Sequence, residues 1–344
     1  MKVRYIVMGV FIVLALLVIY TLYKAGSFKS IEPHHIGIDI GFYTNMPGPE
    51  DLDISYNNDI LFISSTDRRT GKTGGIYGLD NKKTDAVPEV IPITYNGSFH
   101  PHGISIYESD TNTFLHVVNH NENGDYIEFF QYMNDTLFHI RSIKSSMMCC
   151  PNDVLAVAPD RCYVTNDHGR KTGFMRTLED YLSLPLSGIV YYNGEEFILA
   201  YEGMSYANGI NISPDGKYIY ASETTGRKFL TLEQAPDGIL SEVHTINLKS
   251  GLDNIDVDTD GNIWIGSHPK MLDFVGHASD STKHSPSQVF RLSPGASSHT
   301  DYEIKEVFLD DGDMISGSSV AVHHNEIVYV GVVFDHKMMK LRLK

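Results

Sequence analysis

The sequence predicts an all-β fold, a six-bladed β-propeller preceded by an N-terminal transmembrane or signal-anchor helix. Three observations carry this prediction. A short apolar run headed by polar residues recurs six times: Glu50-Asp51-Leu52-Asp53-Ile54, His102-Gly103-Ile104-Ser105-Ile106, Asn152-Asp153-Val154-Leu155, Asn208-Gly209-Ile210-Asn211-Ile212, Asp253-Asn254-Ile255-Asp256-Val257 and Ser318-Ser319-Val320-Ala321-Val322. Each run meets a turn and then a second β-rich segment: Ile60–Ser64, Phe114–Val118, Arg161–Thr165, Lys217–Ala221, Asn262–Gly266 and Glu326–Gly331. A period of about fifty residues with two visible strands per unit is the pattern of blades around an axis. Finally, 20 Tyr and 16 Phe among many Val and Ile favour strands, and no amphipathic helical stretch stands out after residue 30.

In chain order, residues 1–30 read as a hydrophobic anchor with a short linker and residues 31–344 as the propeller. The run from Ile6 to Tyr23 carries no charge and follows Lys2 and Arg4. About twenty such residues cross a bilayer. A cleaved signal peptide has a shorter apolar core and ends at small residues. Tyr20 and Tyr23 fit poorly just before Ala25-Gly26-Ser27, so an uncleaved anchor is the expectation and a secreted chain the alternative. The basic residues at the start place the N-terminus in the cytosol and the propeller outside the cell or in the ER lumen. The sequons Asn96-Gly97-Ser98 and Asn134-Asp135-Thr136 fit a lumenal glycoprotein, whereas Asn211-Ile212-Ser213 falls inside an expected core strand.

A net charge of −16 excludes a nucleic-acid partner unless a basic patch stands out. The nearest clusters, Arg68-Arg69 and Arg170-Lys171, are short and read as solvated loops. The three cysteines, Cys149, Cys150 and Cys162, form neither a disulfide framework nor a zinc motif. Buried thiols are the plain reading, with a bridge from Cys149 or Cys150 to Cys162 as the other.

The chemistry follows from the repeat. The innermost strands of all blades run beside the axis, so the residues heading them converge. Glu50, Asn152, Asn208, Asp253 and Asn254 bring carboxylate and amide oxygens without a thiolate, a donor set that suits calcium rather than zinc or copper. One Asx before a strand ordinarily caps a turn. Turn capping does not require five of them at one register. Asp51 and Asp153 follow Glu50 and Asn152 and face the other way along their strands, where they can serve a second, structural ion. His102 heads the second run, and His120 closes the next strand of the same blade. A lone turn histidine is usually structural. Two on adjacent strands beside a cation site can share a proton and activate water.

These segments resemble the paraoxonase/arylesterase family of calcium-dependent six-bladed lactonases. The likeness runs in order from about residue 35 to the end, through Gly48-Pro49-Glu50-Asp51-Leu52, Pro101-His102-Gly103-Ile104-Ser105, Val117-Val118-Asn119-His120, Pro151-Asn152-Asp153, Thr165-Asn166-Asp167-His168, Ala207 to Tyr218, Asp253-Asn254-Ile255 and His268-Pro269. The resemblance implies a catalytic calcium on Glu50, Asn152, Asn208, Asp253 and Asn254. It implies a structural calcium on Asp51, Asp153 and the Ile104 carbonyl, and a histidine dyad of His102 and His120. Asp167, His168 and His268 would line or support the pocket, and a retained hydrophobic N-terminus would attach the chain to membrane.

The chain also departs from the family. Its mammalian members join the propeller ends by a disulfide, and here no Cys precedes 149 or follows 162. Closure is therefore expected from strand pairing of a segment near Gly37–Gly41 with the C-terminal strands. Ser267 stands where the family often has Cys before His-Pro. Gly169-Arg170 follows His168 in place of bulky aromatics, so rim-dependent substrate preference does not transfer.

The expected activity is calcium-dependent hydrolysis of small lactones and aryl esters, with a protein partner in the membrane as a further expectation. A second reading, suggested by membrane-anchored members of the family, is a chaperone assisting ion-channel assembly. A third is a gluconolactonase-type hydrolase with one metal on Glu, Asn, Asn and Asp, which lacks the two histidines as placed here.

Overall fold

The apolar runs become inner strands because alternate residues face two neighbouring blades and the axis at once. In the computed structural model, which describes residues 2–295 and 298–344, they are Pro49–Ser55, Pro101–Glu108, Pro151–Ala158, Ala207–Ile212, Gly251–Val257 and Ser318–His324. Each opens an antiparallel sheet, and each contacts the next around a closed ring. The sequence-predicted second strands are all present, as Ile60–Ser65, Thr113–Asn121, Arg161–Asn166, Tyr218–Glu223, Ile263–His268 and Ile327–Val332.

Six buried apolar clusters fill the six seams between blades. Phe62, Ile104, Leu115 and Phe130 pack between the first and second blades, and Trp264, Val289, Val328 and Met339 between the fifth and sixth. Burying a side chain of this kind stabilises by about 1.5–3 kcal/mol.

Closure of the ring is by strand pairing, as expected. Asp39–Thr44 adds to the sixth blade beside Lys337–Arg342, from Asp39 opposite Arg342 to Thr44 opposite Lys337. All three cysteines are free, and the Cys149 and Cys150 sulfurs touch at 3.0 Å. A further short strand, His34–His35, extends the fifth blade.

The inner strands have an edge with no ladder partner, and polar side chains satisfy it. Asp51 Oδ2 accepts from Ile104 N at 2.7 Å, Asp53 Oδ2 from Ile106 N at 2.6 Å and Asp153 Oδ2 from Ile210 N at 2.9 Å. Ser105 Oγ accepts from Ala156 N, and Asn211 Nδ2 donates to Ile255 O. Four of the junctions between inner strands, from the first blade to the fifth, are thus stitched by side chains rather than by a ladder.

Among the described residues, three helices complete the fold. Lys2–Lys24, α1, is long and apolar enough to cross a membrane, and its apolar residues are exposed. Phe174–Leu182, α2, and Met271–Ser279, α3, lie in the loops after the second strands of the third and fifth blades. The absence of helices expected beyond residue 30 is therefore corrected. These two are nine residues long, too short for periodicity to stand out, and packing on the propeller holds them.

Candidate active site

Each inner strand carries a register shift at its start. The shifts fall between Pro49 and Asp51, Pro101 and Ile104, Pro151 and Val154, Ala207 and Ile210, Leu252 and Ile255, and Ser318 and Val320. The residues inside them are Glu50, His102-Gly103, Asn152-Asp153, Asn208-Gly209, Asp253-Asn254 and Ser319. A bulge breaks the alternation of faces and re-aims side chains. Repeated six times at one depth, it presents the strand heads to the axis together. Two glycines allow the close approach this demands. A Cβ on Gly103 would stand 2.5 Å from Asp153 Cα, and one on Gly209 would stand 2.6 Å from Asn254 Cα.

The residues of the predicted ring are all buried. Glu50 is 1 % exposed, and its Oε1 accepts from Asn254 Nδ2 at 2.9 Å. Asn208 Nδ2 donates to Thr224 Oγ1, and Asp253 Oδ2 meets His268 Nε2 at 2.8 Å. The Oδ1 atoms of Asn152, Asn208 and Asn254 are buried with no hydrogen-bond partner. Buried amide oxygens left bare cost free energy unless a ligand satisfies them.

Charge points the same way. Burial would raise the Glu50 pKa, but His102, Arg68 and Asn254 override it and lower the value to about 2. Asp51 is pushed well up by burial and by the charges of Asp153 and Glu50. Burial also pushes Asp153 and Asp253 up, the latter against the pull of His268. Four carboxylates thus crowd one buried region with a single guanidinium, Arg68, whose Nη2 lies 3.4 Å from Glu50 Oε2. Among the described residues, no three His, Cys, Asp or Glu side chains form a metal-binding group. The converging donors are instead a mixture of carboxylates and amides. Bare amide oxygens beside repelling carboxylates fit a hard divalent cation.

The histidines come together on adjacent strands. His102 Nδ1 lies 2.8 Å from His120 Nε2, and His102 Nε2 lies 3.5 Å from Glu50 Oε1. Sequence reasoning missed what stands behind them. Asp125 faces His120 across a hairpin, with Oδ1 at 2.9 Å from His120 Nδ1, and Lys171 Nζ donates to Asp125 Oδ2 at 2.6 Å. Burial lowers the His120 pKa despite Asp125, and the His120 and Lys171 contacts hold Asp125 low against burial. The only local signal was the tight turn Asn121–Gly124, which brings position 125 back to 120.

The sequence-based reading of Arg68-Arg69 as a solvated loop needs correction, whereas Arg170 and Lys171 are exposed as expected. Arg68 is packed against Glu50, and Arg69 donates to Phe334 O and His277 O. Lys171 holds Asp125. Both pairs sit in loops, but tertiary contacts bury or engage three of the four side chains. Ser319, at the sixth strand head, is fully buried and its hydroxyl donates to the Glu50 carbonyl.

A cavity of about 280 Å³ opens beside this ring, with His168, Tyr206, Thr224 and His268 on its inner wall. His268 links it to Asp253, and Thr224 links it to Asn208. The imidazole of His268 stacks on Phe274 with centroids 3.9 Å apart. His168 is held by Asp167 Oδ1 at 2.7 Å and Asp180 Oδ1 at 2.8 Å. Burial opposes its protonation, yet these carboxylates raise its pKa to about 9. The outer wall comes from α2, α3 and the last turn of α1. Thr21 Oγ1 donates to Tyr181 O, and Met271 N donates to Ala25 O. Tyr181 and Val275 on this rim are exposed, as are Phe174 and Met175 at the start of α2.

Comparison with known proteins agrees with this architecture. A family model described as arylesterase matches residues 50–342. The chain is 33 % identical over 306 residues to serum paraoxonase/arylesterase 2 of Rattus norvegicus, covering 85 % of each chain. It is 36 % identical over 305 residues to that of Gallus gallus, again covering 85 % of each. With serum paraoxonase/arylesterase 1 of Homo sapiens it shares 32 % over 313 residues, covering 86 % of each. In fold alone it is similar to a gluconolactonase from Xanthomonas campestris, with a TM-score of 0.58 at 13 % identity and coverage of 92 % and 96 %. The same holds for regucalcin, a calcium-binding protein from Agrobacterium tumefaciens, with a TM-score of 0.53 at 12 % identity and coverage of 90 % and 93 %. With a six-bladed propeller, strand heads at matching registers and relatives aligned along most of its length, the chain belongs to the arylesterase family.

Proposed function

We propose that the chain hydrolyses esters and lactones in a calcium-dependent reaction at the top of the propeller channel. The observation that carries this reading is the convergence of three bare amide oxygens, those of Asn152, Asn208 and Asn254, on buried carboxylates one contact from a histidine pair. Glu50, Asn152, Asn208, Asp253 and Asn254 would hold a catalytic ion. Asp51, Asp153 and the Ile104 carbonyl would hold a structural one. A bound calcium would supply Lewis-acid polarisation of a carbonyl and electrostatic stabilisation of the oxyanion formed from it.

The protein groups supply the base. Asp125 accepts the Nδ1 proton of His120, which leaves His120 Nε2 as an acceptor for the Nδ1 proton of His102. His102 Nε2 then carries a lone pair toward the channel, where it takes a proton from the attacking water. The imidazolium so formed is stabilised by Glu50 on one side and, through His120, by Asp125 on the other. His268 and His168 wall the cavity, and the apolar rim favours a hydrophobic acyl or lactone ring.

The exposed α1 supports attachment to a membrane as a single-pass anchor with the propeller extracellular or lumenal. Asn96 and Asn134 are exposed, as glycosylation there requires. The decisive assay measures turnover of γ- and δ-lactones and aryl esters by the full chain, with and without a calcium chelator. Turnover lost on chelation and restored by calcium supports the reading. No turnover with calcium bound overturns it in favour of a scaffolding role in membrane-protein assembly.

A further inference from the structure

A third acidic layer lies deeper in the channel, beyond the two strand-head layers. All inner strands run in the same direction, so their C-terminal ends meet at the opposite mouth. There a cavity of about 350 Å³ is walled by five of them, with Asp53, Tyr56, Glu108, Asp256 and Asp258 contributing polar groups. Two residues of strand advance about 7 Å, which sets Asp53 and Asp256 one step deeper than Asp51 and Asn254. No Lys or Arg is among the residues lining this cavity.

The four carboxylates are not equivalent. Asp258 is consumed by Asn262, by Trp264 Nε1 at 2.9 Å and by His323 Nδ1 at 3.1 Å. Glu108 is occupied by the Ser55 hydroxyl at 2.5 Å and the backbone N–H of Asn57. Asp53 accepts from Ile54 N and Ile106 N, bonds that leave lone pairs on both of its oxygens. Asp256 is 4 % exposed, and its Oδ2 is buried without any hydrogen-bond partner. A buried carboxylate oxygen facing an anionic cavity is unfavourable unless a positive ligand reaches it.

We propose that this mouth is a separate cation site, in which Asp256 and Asp53 bind a divalent ion of the calcium class with water completing its shell. The donors are hard oxygens with no nitrogen or sulfur ligand, which excludes a zinc- or copper-type centre. The ion ties the inner strand of the first blade to that of the fifth, residues that no ladder joins. It is distinct from the ions of the proposed reaction, because none of their ligands takes part.

The test counts ions rather than turnover, so its outcome is independent of whether the chain hydrolyses esters. The full chain in detergent is equilibrated with calcium, and bound calcium per chain is measured by elemental analysis. Asp256→Asn and Asp53→Asn should each hold one equivalent fewer than wild type. An unchanged count in either folded variant overturns the proposal and leaves Asp256 a protonated acid. If both variants fail to fold, terbium replaces calcium and Tyr56→Phe is compared with wild type. Tyr56 is 41 % exposed on the cavity wall. Loss of part of the tyrosine-sensitised terbium emission supports the site, and unchanged emission overturns it.

Discussion

His102 Nδ1 and His120 Nε2 stand 2.8 Å apart, with Asp125 closing the line at 2.9 Å from the far nitrogen of His120. On the proposed mechanism, this arrangement sets one tautomer throughout and leaves a lone pair of His102 directed at the channel. His102→Gln should then lower kcat by about 100-fold or more, the usual contribution of a positioned general base. Steady-state kinetics on a γ-lactone checks this, and full turnover in the variant removes the dyad from the mechanism.

Asp125 touches no expected substrate position, so its effect should be indirect. Asp125→Asn should reduce kcat by about tenfold while KM stays near wild type, because the tautomer of His120 is no longer dictated. Asp125→Glu should restore part of the loss. A pH–rate profile unchanged in Asp125→Asn would show that the carboxylate serves packing alone.

Asn208→Ala deletes the amide oxygen and Asp253→Ala the carboxylate that each contributes to the bulge ring, and both should abolish detectable turnover. Chelation should also lower thermal stability. An ion held at about a thousand times its dissociation constant contributes about 4 kcal/mol. Calorimetry with and without chelator measures the difference, and identical melting in the two conditions contradicts a bound ion.

Gly209 has the inner strand of the fifth blade against it. Gly209→Ala places a methyl 2.6 Å from Asn254 Cα, and backbone cannot yield as a side-chain tip can. Destabilisation of about 1–3 kcal/mol is expected, together with weaker calcium binding as Asn254 shifts. Chemical denaturation and calcium titration of the same variant report the two effects.

The pH dependence of stability should carry a signature of His168. Its folded pKa, about 9, is above the ordinary value of about 6.5. The folded state therefore binds the proton more tightly. The stabilisation is complete below about pH 6.5 and disappears as pH rises through about 9. Replacing His168 by Gln should flatten urea-unfolding stability across that window. An unaltered slope would mean that Asp167 and Asp180 do not hold an imidazolium.

Much of this molecule is legible in its sequence. The alternation in Leu52–Ile54 or Ile210–Ile212 specifies strands, and the recurrence of polar heads at one offset specifies blades and names Glu50, Asn152, Asn208, Asp253 and Asn254. Those features are local, or repeat with the chain, and need no knowledge of what packs where. The apolar segment from Ile6 to Tyr23 is equally plain, since length and lack of charge are all that a bilayer-sized helix requires.

What the tertiary structure decided is non-local. The bulges that aim the strand heads at the axis arise from pairing between strands, and no residue type announces them beyond Gly103 and Gly209. Asp125 reaches His120 only after a hairpin forms, and Arg68 reaches Glu50 only after the first blade folds. The helices α2 and α3 exist because the propeller rim supports nine residues that would not hold a helix alone. The bare Asp256 oxygen is likewise invisible until five strand ends meet. Sequence determined which groups are present and at what period. Folding decided which of them face one another, because contact across the axis depends on register and closure rather than on neighbours in the chain.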